Sequence, residues 1–271
     1  MAHGNFSDLI FLILVGVVVQ WFAFPATLFQ DLGPLKAQFS VKNADMDAII
    51  KFGGGLLLMM GMTFSGVSWN PINGKMGGFG GFLVAGHTVY STFKADSDVF
   101  VPRLFYIYAA VIFFGALHIF AFPSNPLPPK TPETKNNHGN VGDAVALCLI
   151  IAAAFCTFYP DHLFEDFGPF KAQFSTKSAD LSAMIKFIGG LMLMLGLMIS
   201  GVKWNPINGK MAGFGGFIAA GYTAYSTFQA DSSAFVPRLF YVYAMVIFVG
   251  ALHVFAFPSN PKLPKPDSKK A

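Results

Sequence analysis

The sequence predicts an all-α, polytopic membrane protein: eight transmembrane helices forming two parallel, same-orientation repeats of four. Three observations predict it. First, the chain is written twice, because Trp69-Asn70-Pro71-Ile72-Asn73-Gly74-Lys75-Met76 returns as Trp204-Asn205-Pro206-Ile207-Asn208-Gly209-Lys210-Met211, at an offset of 135 residues. The same shift superimposes Asp31-Leu32-Gly33-Pro34 on Asp166-Phe167-Gly168-Pro169 and Phe100-Val101-Pro102-Arg103 on Phe235-Val236-Pro237-Arg238. Second, 54% of residues are hydrophobic, 12% are charged and 32 are Phe, too apolar a balance for a soluble domain. Third, apolar runs approaching the ~20 residues that a bilayer core asks of a helix lie between turn signals four times in each copy.

The first span, Leu9 to Phe24, carries no charge and is closed by Pro25. A polar stretch from Gln30 to Asn43 follows. Ala44 to Val67 then reads as a helix capped by Asn43, with Asp45 in the first turn, where the helix dipole favours an anion. Trp69-Asn70-Pro71 ends it, since the residue before a proline disfavours helix. Met76 to Phe93 is a short, glycine-rich third span. Asp96 or Ser97 can cap the fourth, from about Asp98 to Phe122, which Pro123 stops. The second copy repeats the plan as Val145 to Phe158, Ala179 to Val202, Met211 to Phe228 and Ser233 to Phe257, with Ser178 in place of Asn43 and Asp180 in place of Asp45.

The domains follow: 1–122 is the first repeat, 123–140 an exposed linker rich in Pro, Asn and Lys, 141–257 the second repeat, and 258–271 a basic tail. An even number of spans per copy makes the repeats like-facing, related by an axis along the membrane normal. A third span that dipped back instead of crossing would reverse that. With even spans both termini, the linker and the Asn-Pro-Ile-Asn-Gly loops share one face, and the basic tail favours the inside. The net charge of +4 is spread over loops and tail, which suits a lipid surface and not nucleic acid. Cys148 and Cys156, both in the fifth span, are expected to be buried free thiols.

Each candidate for chemistry has a bland counterpart. Gly77, Gly81 and Ala85, matched by Ala212, Gly216 and Ala220, form small-residue ridges that admit a close helix. Gly54, Gly61 and Ser65, matched by Gly189, Gly196 and Ser200, do the same in the second and sixth spans. Spans two and three therefore pack tightly within a copy or across the copies, with Phe79, Phe82, Phe214 and Phe217 as knobs. Asn73 and Asn208 stand in loops whose Asn-Pro and Asn-Gly pairs suit a tight turn; converging on a solute is their functional reading. Trp69 and Trp204 suit an interfacial position, and Lys75 and Lys210 can reach headgroup phosphates.

Arg103 and Arg238, near the start of the fourth and eighth spans, are solute-site candidates, because arginine in an apolar helix is costly; snorkelling to the interface is the alternative. Tyr106 and Tyr241, with Tyr108 and Tyr243, bring hydroxyls to the same depth. His87, on a polar patch with Thr88, Ser91 and Thr92, is a further candidate, although Tyr222 replaces it in the second copy. His118 and His253 lie five residues before the prolines that end their spans, where a ring nitrogen can ligate haem iron or a chlorophyll magnesium. No catalytic residue and no metal spacing stands out, so an enzyme is the least supported class.

Ile49-Ile50-Lys51-Phe52-Gly53-Gly54-Gly55-Leu56-Leu57-Leu58-Met59-Met60-Gly61, following a first span and a polar connection and preceding two more spans, resembles the DoxX-like four-helix membrane proteins. The resemblance implies a four-helix layout in each copy and almost nothing about activity. Two functions compete. One is a pseudo-symmetric carrier or channel for a small solute. The other is a structural or cofactor-holding subunit of a larger membrane complex, with lipid, other membrane subunits or a second copy as its partners.

Overall fold

A computed structural model describes residues 5–95, 101–122, 140–230 and 236–256. The 123–139 part of the linker, the tail, the proposed caps Asp96 and Ser97 and the expected span start Asp98 lie outside the described residues. Among the described residues there are eight α-helices and no strand: α1 Asn5–Ala23, α2 Ala44–Gly66, α3 Asn73–Ala95, α4 Leu104–Ala121, α5 Asn140–Phe158, α6 Ala179–Gly201, α7 Asn208–Ala230 and α8 Leu239–Ala256. Every helix in 140–256 begins and ends 135 residues after its counterpart. Six are long and apolar enough to cross a membrane; α3 and α7, diluted by glycine and polar residues, are not among them.

Local chemistry explains the ends. Asn43 Oδ1 accepts from Met46 N at 2.7 Å, and Ser178 Oγ accepts from Leu181 N at 3.1 Å; these caps satisfy donors that the first helical turn leaves open. Asn70 Oδ1 accepts from Ile72 N and Asn73 N, so α3 starts three residues earlier than the proline and glycine signals alone suggest. The fourth span differs most. Residues 101–103 precede the helix, and Lys36 and Arg103 form a short parallel bridge with Lys36 N donating to Pro102 O at 2.7 Å. Arg103 therefore precedes α4 and is not inside it; Arg238 stands likewise before α8.

Each helix packs on two neighbours in the cyclic order α1, α2, α7, α8, α5, α6, α3, α4, and α2 also touches α6 across the middle. The centre is apolar: Phe52, Leu56, Met59 and Met60 of α2 and Phe187, Leu191, Met194 and Leu195 of α6 are all buried. Tight packing between spans two and three thus falls across the copies, α2 on α7 and α3 on α6. The ridges point elsewhere than expected. A Cβ on Gly54 or Gly61 would meet Phe22 or Leu14 of α1, and one on Gly189 or Gly196 would meet α5. Close cross-copy approach uses Gly55 against Ala219, Gly215 against Met59 and Gly80 against Met194. Gly77 and Gly81 fit between α4 and α6.

Three further expectations are corrected. Cys148 is exposed, since its helix turns only one face inward, while Cys156 is buried. Trp69 and Trp204 are buried, not interfacial, and donate to the carbonyls of Phe64 and Ile199. Phe79 and Phe214 point outward; Phe82 and Phe217 pack on rings of α4 and α8.

Candidate functional site

The residues predicted for the solute site fall into separate places. Asn73 and Asn208 are spent on their own loops: Asn73 Oδ1 accepts from Asn70 N at 2.8 Å and its Nδ2 donates to Ser68 O at 3.2 Å, and Asn208 repeats both bonds. Both are buried beneath the turn. Arg103 Nη1 donates to Ala37 O at 2.9 Å and Gln38 O at 2.6 Å, while Gln38 Oε1 accepts from Phe105 N. Arg238 donates to Gln173 O, and Gln173 Oε1 accepts from Phe240 N at 3.3 Å. These arginines tie the α1–α2 and α5–α6 connections to the starts of α4 and α8. Tyr106 and Tyr241 sit one turn further along.

Arg103 does line a niche. Gln38, Thr88, Ser91, Thr92, Arg103, Asp180 and Phe187 are among the residues that wall a cavity of about 30 Å³ between α3, α6 and the α1–α2 connection. Thr88 and Thr92 direct their hydroxyls to the carbonyls of Val84 and Thr88, each at 2.8 Å. Ser91 Oγ is buried without a hydrogen-bond partner among the described residues, as is His87 Nε2 one turn away. The niche therefore brings together Arg103, Thr88 and Ser91, with His87 nearby, and leaves out Asn73.

The niche closes where the halves meet. Asp180 Oδ2 accepts from Ser40 N at 2.7 Å and Ser40 Oγ at 2.8 Å; Asp45 Oδ2 accepts from Ser175 N and Ser175 Oγ, both at 3.0 Å. The acids expected to serve the helix dipole thus also fasten each half to the loop of the other. Ser40 and Ser175 were not foreseen, because partners 140 and 130 residues apart leave no local signal.

His118 and His253 are each half-buried at matching positions. The His118 ring lies 4.9 Å from that of Phe6 on α1, and His253 lies beside Gly142 on α5. Tyr108 and Tyr243 mark a third polar spot: Tyr108 donates to Gln20 Oε1 at 2.8 Å and receives Trp21 Nε1 at 3.4 Å, whereas Tyr243 Oη lies 3.3 Å from His162 Nε2. Burial holds the His162 ring below its ordinary pKa, opposed by its bond to Tyr159 O. No family model, curated protein or solved structure matches this chain.

Proposed function

We propose that this integral membrane protein is a pseudo-symmetric carrier for a small polar solute, built as eight spans in two like-facing repeats. The niche beside Arg103 carries the reading: it is a small, mostly apolar space at a junction of the halves, edged by Arg103, Thr88 and Ser91, and Ser91 Oγ has no hydrogen-bond partner among the described residues. Room for about 30 Å³ suits a water molecule or two, so transport requires the seam between α3 and α6 to open. Support for eight crossings comes from α3 and α7, each an unbroken helix of 23 residues and so about 34 Å long, enough for a hydrocarbon core of roughly 30 Å. Kinship with DoxX-like proteins belongs to the same proposal, with the Gly53-Gly54-Gly55-Leu56-Leu57-Leu58 stretch on central α2.

Two measurements test it. A membrane-impermeant amine label applied to sealed vesicles should modify Lys130 and Lys265 from the same side. Proteoliposomes should take up a small organic solute saturably, and Thr88→Val with Ser91→Ala should lower that uptake at least tenfold. Labelling from opposite sides rejects the like-facing repeats; unsaturable or unchanged uptake rejects the carrier.

A second reading, a subunit that holds haem or chlorophyll, is favoured by one observation. Neither the His118 ring nor the His253 ring hydrogen-bonds any described residue, and both lie half-buried on outer helices. A Soret or chlorophyll band in the purified protein, lost in His118→Ala with His253→Ala, selects this reading.

A further inference from the structure

The two halves provide an internal comparison. On α2, Asp47 forms an ion pair with Lys51 one turn along the helix. At the 135-residue offset Lys51 becomes Lys186, but Asp47 becomes Ser182. Thus α6 keeps the amine and lacks its carboxylate. The Lys186 amine forms no hydrogen bond or ion pair with any described residue. Asp180, six residues earlier, is already engaged by Ser40.

The wall opposite is α3. It runs antiparallel to α6, with Gly80 against Met194 and Gly190 against Val84; this register sets His87 level with Phe187 and the adjacent Lys186, and Ser91 level with Ala183 and the adjacent Ser182. Lys186 is near enough for its charge to act on the His87 ring. His87 Nε2 and Ser91 Oγ are buried and without partners among the described residues, a costly state for polar atoms away from water. The twin seam between α2 and α7 has Tyr222 and Ser226 in the matching places. Ser226 Oγ is also without a partner among the described residues, so the differences that count are the carboxylate of Asp47 and the exchange of Tyr222 for His87. One seam supplies its own anion, and the other presents the groups that would hold one.

We infer that the α3–α6 seam binds a monoanionic carboxylate, which fills in this half the place that the Asp47 side chain takes in the other. Its oxygens pair with Lys186 and accept from the hydroxyls of Ser91 and Ser182 and from whichever His87 nitrogen carries a proton. Lys186 is the eighth residue of α6, about 10 Å along the helix from its start. That depth is within reach of the aqueous face and of the acyl region, so a soluble acid and a fatty acid share the required chemistry. The inference deepens the carrier reading and rests on it, naming the solute's charged group.

The test uses the full chain in nanodiscs of phosphatidylcholine, with butyrate, laurate, butylammonium and chloride as probes in titration calorimetry. A single carboxylate site per chain is expected, weakened at least tenfold by Lys186→Ala. Ser182→Asp should abolish binding and raise the thermal midpoint, because it restores the counter-ion within the protein. Binding of butyrate identifies an aqueous source and binding of laurate alone a membrane source; either supports the site. No binding of either acid, equal binding of butylammonium or chloride, or undiminished binding by Ser182→Asp overturns it. Carboxylate binding without uptake in proteoliposomes removes the carrier reading and leaves the site. Saturable uptake of an uncharged solute without carboxylate binding does the reverse.

Discussion

Arg103 shows how a residue's type can be noticed while its employment is missed. Its position beside an apolar helix suggests a cation held for a solute, yet its guanidinium serves two carbonyls of the α1–α2 connection. The partners lie more than sixty residues away, so no local pattern announces them. A charged donor serving a carbonyl contributes about 1.5–3 kcal/mol, and Arg103→Ala should lower stability by roughly that amount. Arg103→Lys should recover only part, since an ammonium lacks the planar fork. Thermal unfolding in micelles, followed through Trp21, Trp69 and Trp204, all buried, measures both. The Asp31 turn carries a pH signature. The amide of Ala37 and then the ammonium of Lys36 hold the Asp31 carboxyl below its ordinary value, and Lys171 and the amide of Ala172 do so for Asp166. A carboxyl whose folded pKa is lowered stabilises above its unfolded pKa, about 3.9, and loses that contribution as pH falls through the lowered value. Amide exchange at Ala37 and Ala172, corrected for intrinsic rate, should therefore rise below about pH 4, while the helix interiors stay protected.

At the level of the helix, legibility followed capping chemistry. The limits of α2 and α6 were readable because Asn43 and Ser178 cap them and Trp-Asn-Pro follows. The start of α4 was not, since Asp96 or Ser97 resembles a cap while Arg103 is drawn into an extended pairing with Lys36. Glycine was readable as a residue for close approach but not as to which helix approaches. A Cβ on Gly55 would lie 2.6 Å from Ala219 Cα, whereas one on Gly86 would meet nothing within 4 Å. Gly55→Ala should therefore cost about 1–3 kcal/mol, as overpacking a core does. Gly86→Ala should be neutral or stabilising by up to ~1 kcal/mol, because alanine favours helix over glycine. Equal thermal midpoints for the two variants would show that α2 and α7 do not approach as closely as described.

The cyclic helix order is a property of the entire molecule and was open in the sequence, because the small-residue faces of α2, α3, α6 and α7 are chemically alike and any could meet any other. What decides the pairing is long-range fit, Gly55 on Ala219 and Gly80 on Met194, reinforced where Ser40 meets Asp180 and Ser175 meets Asp45. This order makes neither half self-sufficient. Without α5 to α8, the pair α1–α2 and the pair α3–α4 would be joined chiefly through the α1–α4 contact, and the faces of α2 and α3 that now rest on α7 and α6 would be bare. Cutting the chain within 123–139 leaves every described helix intact, so residues 1–130 and 131–271 expressed together should copurify as a one-to-one complex. Each expressed alone should be degraded or aggregate, because helix pairing in lipid depends on packing that the missing half supplies. A monodisperse, protease-resistant 1–130 fragment would mean that α2 and α3 satisfy each other within one repeat, and the ring described here would have to give way to two independent bundles.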